Sequence, residues 1–232
     1  MTVLDLFRAV HIAAGSLALV VMWVPLLSPK GGNLHRRAGR IYVLAMGIVT
    51  VAAAAVCIWR LLFDPDPENR VWATYFLFVA VLAAAQCSAG VRVLRAKSRT
   101  GAHRNPWDLG IALLLTLAGA AVLVWGIRLR NSLFIGFAPV GILIGALQLR
   151  YWLRPPRAWM HWWFEHMFAM MGAGISTVSA FTVVNAGHLG LPQESLIVWL
   201  GPSVVGLLVF GIWRRHYKRR FEEPSVAASR AA

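Results

Sequence analysis

The chain has 232 residues, of which 59% are hydrophobic and only 14% charged, where a soluble domain carries about a quarter charged residues. That excludes an ordinary water-facing domain, so lipid has to be part of the solvent. The net charge of +14 first suggests a nucleic-acid binder, but the charges lie between apolar runs rather than on one soluble surface, and no nucleic-acid partner is expected.

The apolar runs are about 20 residues long, enough for a helix to cross a bilayer core of about 30 Å. The two-residue alternation of a barrel is absent, so the spans are predicted to be helices whose backbone groups pair internally. The first runs from Val3 to Leu27 and stops at Pro29 and the Gly31-Gly32 pair; no small-residue cleavage site follows, so it reads as an uncleaved span rather than a signal peptide. Span two covers Ile41 to Phe63 and ends at Asp64-Pro65-Asp66-Pro67-Glu68. Spans three, four and five are Val71 to Leu94, Trp107 to Ile127 and Ser132 to Trp152. Pro155-Pro156 precedes span six, Trp159 to Val184, and span seven runs from Leu196 to Trp213. The expected fold is all-α: a polytopic bundle of about seven transmembrane helices over residues 1–221, followed by a short disordered cytoplasmic tail over 222–232. Cys57 and Cys87 fall inside spans at different depths and read as buried apolar residues.

Charge sets the expected orientation. Lys30, Arg36, Arg37 and Arg40 follow span one; Arg92, Arg95, Lys97, Arg99 and Arg104 follow span three; Arg150, Arg154 and Arg157 follow span five. The tail adds Arg214, Arg215, Lys218, Arg219, Arg220 and Arg230, so most of the 23 basic residues lie on one side. On the other side Arg8, Arg60, Arg70, Arg128 and Arg130 are balanced by Asp5, Asp64, Asp66, Glu68 and Glu194. The positive-inside rule then predicts the N-terminus out and the C-terminus in, which needs an odd number of spans. Tryptophan fits the same frame: Trp59, Trp72 and Trp125 near outer ends, and Trp107, Trp152, Trp159, Trp162, Trp163 and Trp213 near inner ends. Anionic lipid headgroups at the cytoplasmic face are the expected partners of the basic loops and tail.

Span six carries the best candidate site. His161, Glu165, Ala169, Gly172, Ser176 and Ser179 share one helix face, and an acid inside a span is a functional hypothesis. Its expected partners are His161 and the cytoplasmic arginines; in the structural alternative it pairs with Arg157 or Arg154. His166 lies on an adjacent face, and His11 sits about 12 Å from the outer end at roughly 1.5 Å rise per residue. Neutral imidazoles make good metal or haem ligands, but these two lie near opposite ends and are not expected to share an iron. His35, Arg36 and His103 complete the candidate set on the cytoplasmic side, where a metal is conceivable. No H-E-x-x-H, H-x-x-x-H or C-x-x-C spacing specifies one. His35-Arg36 and His103-Arg104 each precede a re-entering span, a weak internal echo. Gly141 and Gly145 in span five form a GxxxG pair that predicts close helix packing, and homo-oligomers are conceivable.

The stretch His11-Ile12-Ala13-Ala14-Gly15 through Pro29-Lys30-Gly31-Gly32, with His35-Arg36 and Gly39-Arg40, resembles an uncharacterised bacterial family of multi-pass inner-membrane proteins, a domain of unknown function. The likeness covers spans one and two, and Glu165-His166 is similar to some members. It implies a bacterial cytoplasmic (inner) membrane location and no reaction, cofactor or partner. Two functional readings follow from the residues. One is a binding or transport protein for a proton, ion or small ligand, using Glu165 with His161 and the His35 and His103 loops. The other is a haem-, quinone- or metal-binding redox protein using His11 or His166, backed by Met46, Met167, Met170 or Met171.

Overall fold

The computed structural model describes residues 2–158, 160–192 and 195–230, with side chains as far as Phe221. Trp159, Glu194 and the side chains of the expected tail, 222–232, lie outside the described residues. All regular structure among the described residues is helical. Seven segments are long and apolar enough to cross a membrane: Val3–Leu27, Asn33–Phe63, Pro67–Arg95, Pro106–Leu129, Ser132–Leu153, His161–Val184 and Leu196–Phe221.

The helix boundaries follow from local chemistry. Helix α1 (Val3–Val21) opens with a capping box, in which Thr2 and Asp5 satisfy each other's backbone N–H groups. Span one then breaks at Met22 and resumes as α2 (Trp23–Leu27), because Pro25 has no N–H to continue the helical ladder. Helix α3 (Asn33–Phe63) begins at Asn33 rather than Ile41. After Gly31 (φ +78°) turns the chain, no proline interrupts the run from Leu34 to Arg40, so its basic residues lie in about two helical turns ahead of the apolar run. Helix α4 (Pro67–Arg92) starts on an Asp66 cap with Pro67 in its first turn, and α5 (Pro106–Leu129) repeats the device with Asn105 and Pro106. A 3-10 turn, Val93–Arg95, prolongs α4. Helix α6 (Ser132–Leu153) follows α5 after only Arg130 and Asn131, and α7 (His161–Val184) and α8 (Leu196–Arg230) complete the chain.

Helix α4 is the hub, packed on α3, α5, α6 and α7; α1 packs on α3 and α7, and α8 packs on α7 and α6. Half of the α4 span is buried (50%) against 11% for the last span, so α8 is the outermost element. The close approach expected of Gly141 and Gly145 is met against α5 and α4. A Cβ on Gly141 would strike the Phe78 ring, and one on Gly145 would lie 2.8 Å from Ala112 O. Gly119 answers from α5, where a Cβ would lie 2.9 Å from the Ile142 nitrogen. Small residues let the two backbones touch where lipid supplies no hydrophobic drive.

Two cores result. One, around Tyr75, Phe134, Phe137 and Trp199, lies at the end away from the basic loops; the other, around Ala18, Tyr42, Met46, Cys87 and Ala173, joins α1, α3, α4 and α7. Cys57 and Cys87 are buried and free, as read from the sequence. Outside the cores, Leu44, Val51, Leu114, Leu117, Val205 and Leu208 are exposed. Aliphatic surface of that extent suits contact with acyl chains rather than water.

Candidate functional site

The basic loops meet at one end of the bundle and fold into it. Lys30 turns back to cap the C-terminus of α2, donating to the carbonyls of Pro25 (3.1 Å) and Leu26, with its ammonium 4.7 Å from the Trp213 ring centre. Desolvation there holds Lys30 below the ordinary lysine range. Arg99 does the same for α6: its guanidinium donates to Tyr151 O (3.0 Å) and Arg154 O (2.9 Å) and lies 4.4 Å from the Tyr151 ring centre. A cation at a helix C-terminus is the favoured arrangement. Lys97 sits 4.4 Å over Trp162.

Beneath Arg99 lies a small cavity of about 10 Å³, room for a single water centre, lined by Ala89, Val93, Gln148, Tyr151, Trp152, Glu165, Phe168 and Ala169. It brings α4, α6 and α7 together. Glu165 and Ala169 face it, as the shared helix face predicts. The cations that bear on Glu165 are Arg99 and Arg214, and neither Arg154 nor Arg157 forms an ion pair with it. His161 turns aside from Glu165 and pairs its Nδ1 with the Tyr151 hydroxyl at 2.8 Å. The Oε1 of Gln148 is buried without a hydrogen-bond partner among the described residues. Gln148 in turn donates to Gln86 Oε1 at 3.0 Å, and the Gln86 amide lies against Gly172, where any side chain would displace it. A polar line therefore runs from Arg99 and His161 through the Glu165 cavity to Gln148, Gln86 and Gly172.

A second polar cluster at the same end was not legible from the sequence. Asp108, 2% exposed, takes two hydrogen bonds from Arg92 (one of them 2.9 Å) and one contact of 2.9 Å from His103 Nε2. Arg92 also donates to Asn105 at 3.1 Å. His103 is held over Trp152, ring centres 4.9 Å apart, while its backbone N–H donates to Trp152 O. His103 thus locks the loop to α5 and α6 and does not reach Glu165. Trp152, expected at the headgroup level, is instead 2% exposed beneath this loop. The available signal was an acid three residues after an Asn cap in an otherwise basic loop.

The remaining candidates separate. His11 Nδ1 donates to Val49 O at 3.0 Å and ties α1 to α3. His166 Nδ1 donates to Gly90 O at 2.7 Å and ties α7 to α4, so His11 and His166 serve different helix pairs. His35 Nδ1 donates to Pro25 O at 3.0 Å, and its ring centre lies 6.3 Å from that of His166. Arg36 is exposed, and its guanidinium donates to Asn33 on its own helix at 2.8 Å. The His35-Arg36 and His103-Arg104 echo does not extend to environment, since His35 lies inside a helix and His103 in a loop held by Asp108. Among the described residues, no three of His, Cys, Asp and Glu come together as a metal cluster.

No protein-family model matches the chain, and neither the curated proteins nor the solved structures give a match.

Proposed function

We propose that this chain is an integral membrane protein that binds or passes a proton or a small polar ligand at the Glu165 cavity. One observation carries the reading: an acid on an apolar helix lines a water-sized cavity beside Gln148, whose Oε1 is buried without a hydrogen-bond partner among the described residues. Buried polar atoms are normally paired, so the cavity offers the Gln148 carbonyl oxygen and the Glu165 carboxyl to a guest the size of a water. Arg99 and Arg214 bear on Glu165, which favours a proton or a neutral or anionic ligand over a free cation. The basic loops support an orientation with the N-terminus out and the C-terminus in, with anionic headgroups against the basic tail. The stretch His11 to Arg40 supports placement in the resembling bacterial family and its cytoplasmic membrane.

Glu165→Gln tests the reading in proteoliposomes. Proton entry driven by a pH step, followed with a trapped dye, should fall to the level of empty vesicles while the variant elutes as wild type from gel filtration. Wild-type flux in Glu165→Gln would end the proton reading. Haem, quinone or metal chemistry at intramembrane histidines is the second reading, and the approach of His166 to His35 favours it.

A further inference from the structure

On an adjacent face of α7, His166 meets His35 of α3, and the two have their ligand atoms prepared in the same way. His35 and His166 each use Nδ1 on a backbone carbonyl, Pro25 O at 3.0 Å and Gly90 O at 2.7 Å. A carbonyl only accepts, so the ring proton of each sits on Nδ1, and Nε2 keeps its lone pair. That is how metal-binding imidazoles are oriented, through a carbonyl on the far nitrogen. Neither Nε2 has a hydrogen-bond partner among the described residues.

The spacing accommodates a near-linear geometry. Two imidazoles bound trans to one metal, with metal–nitrogen bonds of about 2.0 Å, place their ring centres roughly 6–6.5 Å apart, whereas a tetrahedral angle draws them to about 5 Å. The observed separation is 6.3 Å, with the ring planes at 64°. The charged groups bearing on His166 select a valence: Lys97 and His35 face it, and no carboxylate does. A divalent ion with two neutral ligands and a neighbouring ammonium would carry an uncompensated double charge into apolar surroundings. A monovalent d10 ion carries half of it and accepts near-linear coordination.

A soft donor stands beside the pair. Met170 is one turn on from His166, on the same helix face. Its Sδ lies 2.6 Å from where a Cβ on Gly90 would sit, and Gly90 is the residue whose carbonyl holds His166. Thioether sulfur together with imidazole favours Cu(I) over the harder divalent ions. We propose that His35 and His166, with the Met170 sulfur as a third donor, form a binding site for a single Cu(I) ion at the junction of α3, α4 and α7. The site is independent of the Glu165 cavity, which uses other residues of α7.

The full-length protein in detergent should be titrated anaerobically with Cu(I) held by a chromogenic bicinchoninate competitor. The wild type should retain one equivalent. His35→Ala and His166→Ala should each weaken retention by at least ~tenfold, Met170→Leu should remove a sulfur scatterer from the copper X-ray absorption spectrum, and His11→Ala should change nothing. A readout on the wild type needs no folded variant: Cu(I) should protect His35 and His166, and not His11, from diethylpyrocarbonate. Failure to retain an equivalent, retention indifferent to both histidine variants, or unprotected His35 and His166 would overturn the proposal. A haemin-induced Soret band that needs both histidines, without Cu(I) retention, would overturn it in favour of haem. Proton flux through Glu165 is read separately, so the two proposals fail by different measurements.

Discussion

The two ends of α4 are built on opposite principles. Toward its N-terminus, Tyr75 stacks on Phe134 at 4.8 Å and meets Trp199 edge-on at 5.3 Å, with Phe78 and Phe137 closing the cluster. Toward its C-terminus the same helix presents Gln86, the Gly90 carbonyl and Arg92 to amides, an imidazole and a carboxylate. The aromatic end is held by shape, although the Tyr75 hydroxyl is buried there without a hydrogen-bond partner among the described residues. The polar end is held by directional bonds, and several buried atoms there lack partners. In lipid this difference is sharper than in water, because an apolar side chain gains nothing by leaving acyl chains for a core except contact. Stability should therefore depend on packing at one end and on charge pairing at the other.

The largest effect should come from Asp108→Ala. It leaves Arg92 and His103 without their shared acceptor beside a buried position, and breaking such a pair costs about 2–4 kcal/mol. Thermal unfolding in detergent should show the drop, with Asp108→Asn intermediate; no change would mean that the basic end is not held by this pair. Phe134→Ala should come next. Removing a buried aromatic from a soluble core costs about 3–5 kcal/mol, but lipid solvates the exposed ring, so about 1–3 kcal/mol of packing loss is expected by the same assay. A loss larger than that of Asp108→Ala would reverse the comparison. Gln148→Leu should be the mildest, about 0.5 kcal/mol, since membrane hydrogen bonds average that much and this one leaves Oε1 unpaired. Its effect should appear in flux through the Glu165 cavity instead, and an unchanged flux would detach Gln148 from the site.

Hydropathy and charge made the helix bundle legible, because period and length are local properties. Span one keeps its expected ends, Val3 and Leu27, with an internal break at Met22 that Pro25 explains; the start of span two was misplaced because the helix-compatible run from Leu34 to Arg40 extends it. Glu165 and His161 were legible as an acid and an imidazole on one helical face. Their working neighbours were not, since Tyr151, Gln148 and Arg99 reach them only through tertiary contact. Gln86 and Gln148 are 62 residues apart in sequence and meet in space. Asp108 was hidden because a lone acid among arginines reads as charge balance until the fold buries it. The pairing of His35 with His166 was equally out of reach, being set by how α3 and α7 approach α4.

The turn between α5 and α6 has a consequence for how the protein enters its membrane. Arg130 adopts a left-handed conformation (φ +53°), the Asn131 N–H bonds back to Gly126 O at 2.9 Å, and the Asn131 side chain accepts from Leu133 and Phe134. Two residues cannot leave slack for one helix to wait in the bilayer while the next is made. The pair is therefore expected to partition as one hairpin, its backbones already in contact at Gly119, Gly126 and Gly145. Lengthening this turn should delay the partnership during synthesis, visible as crosslinks between α5 and α6 that form late, long before any change in the finished protein is felt.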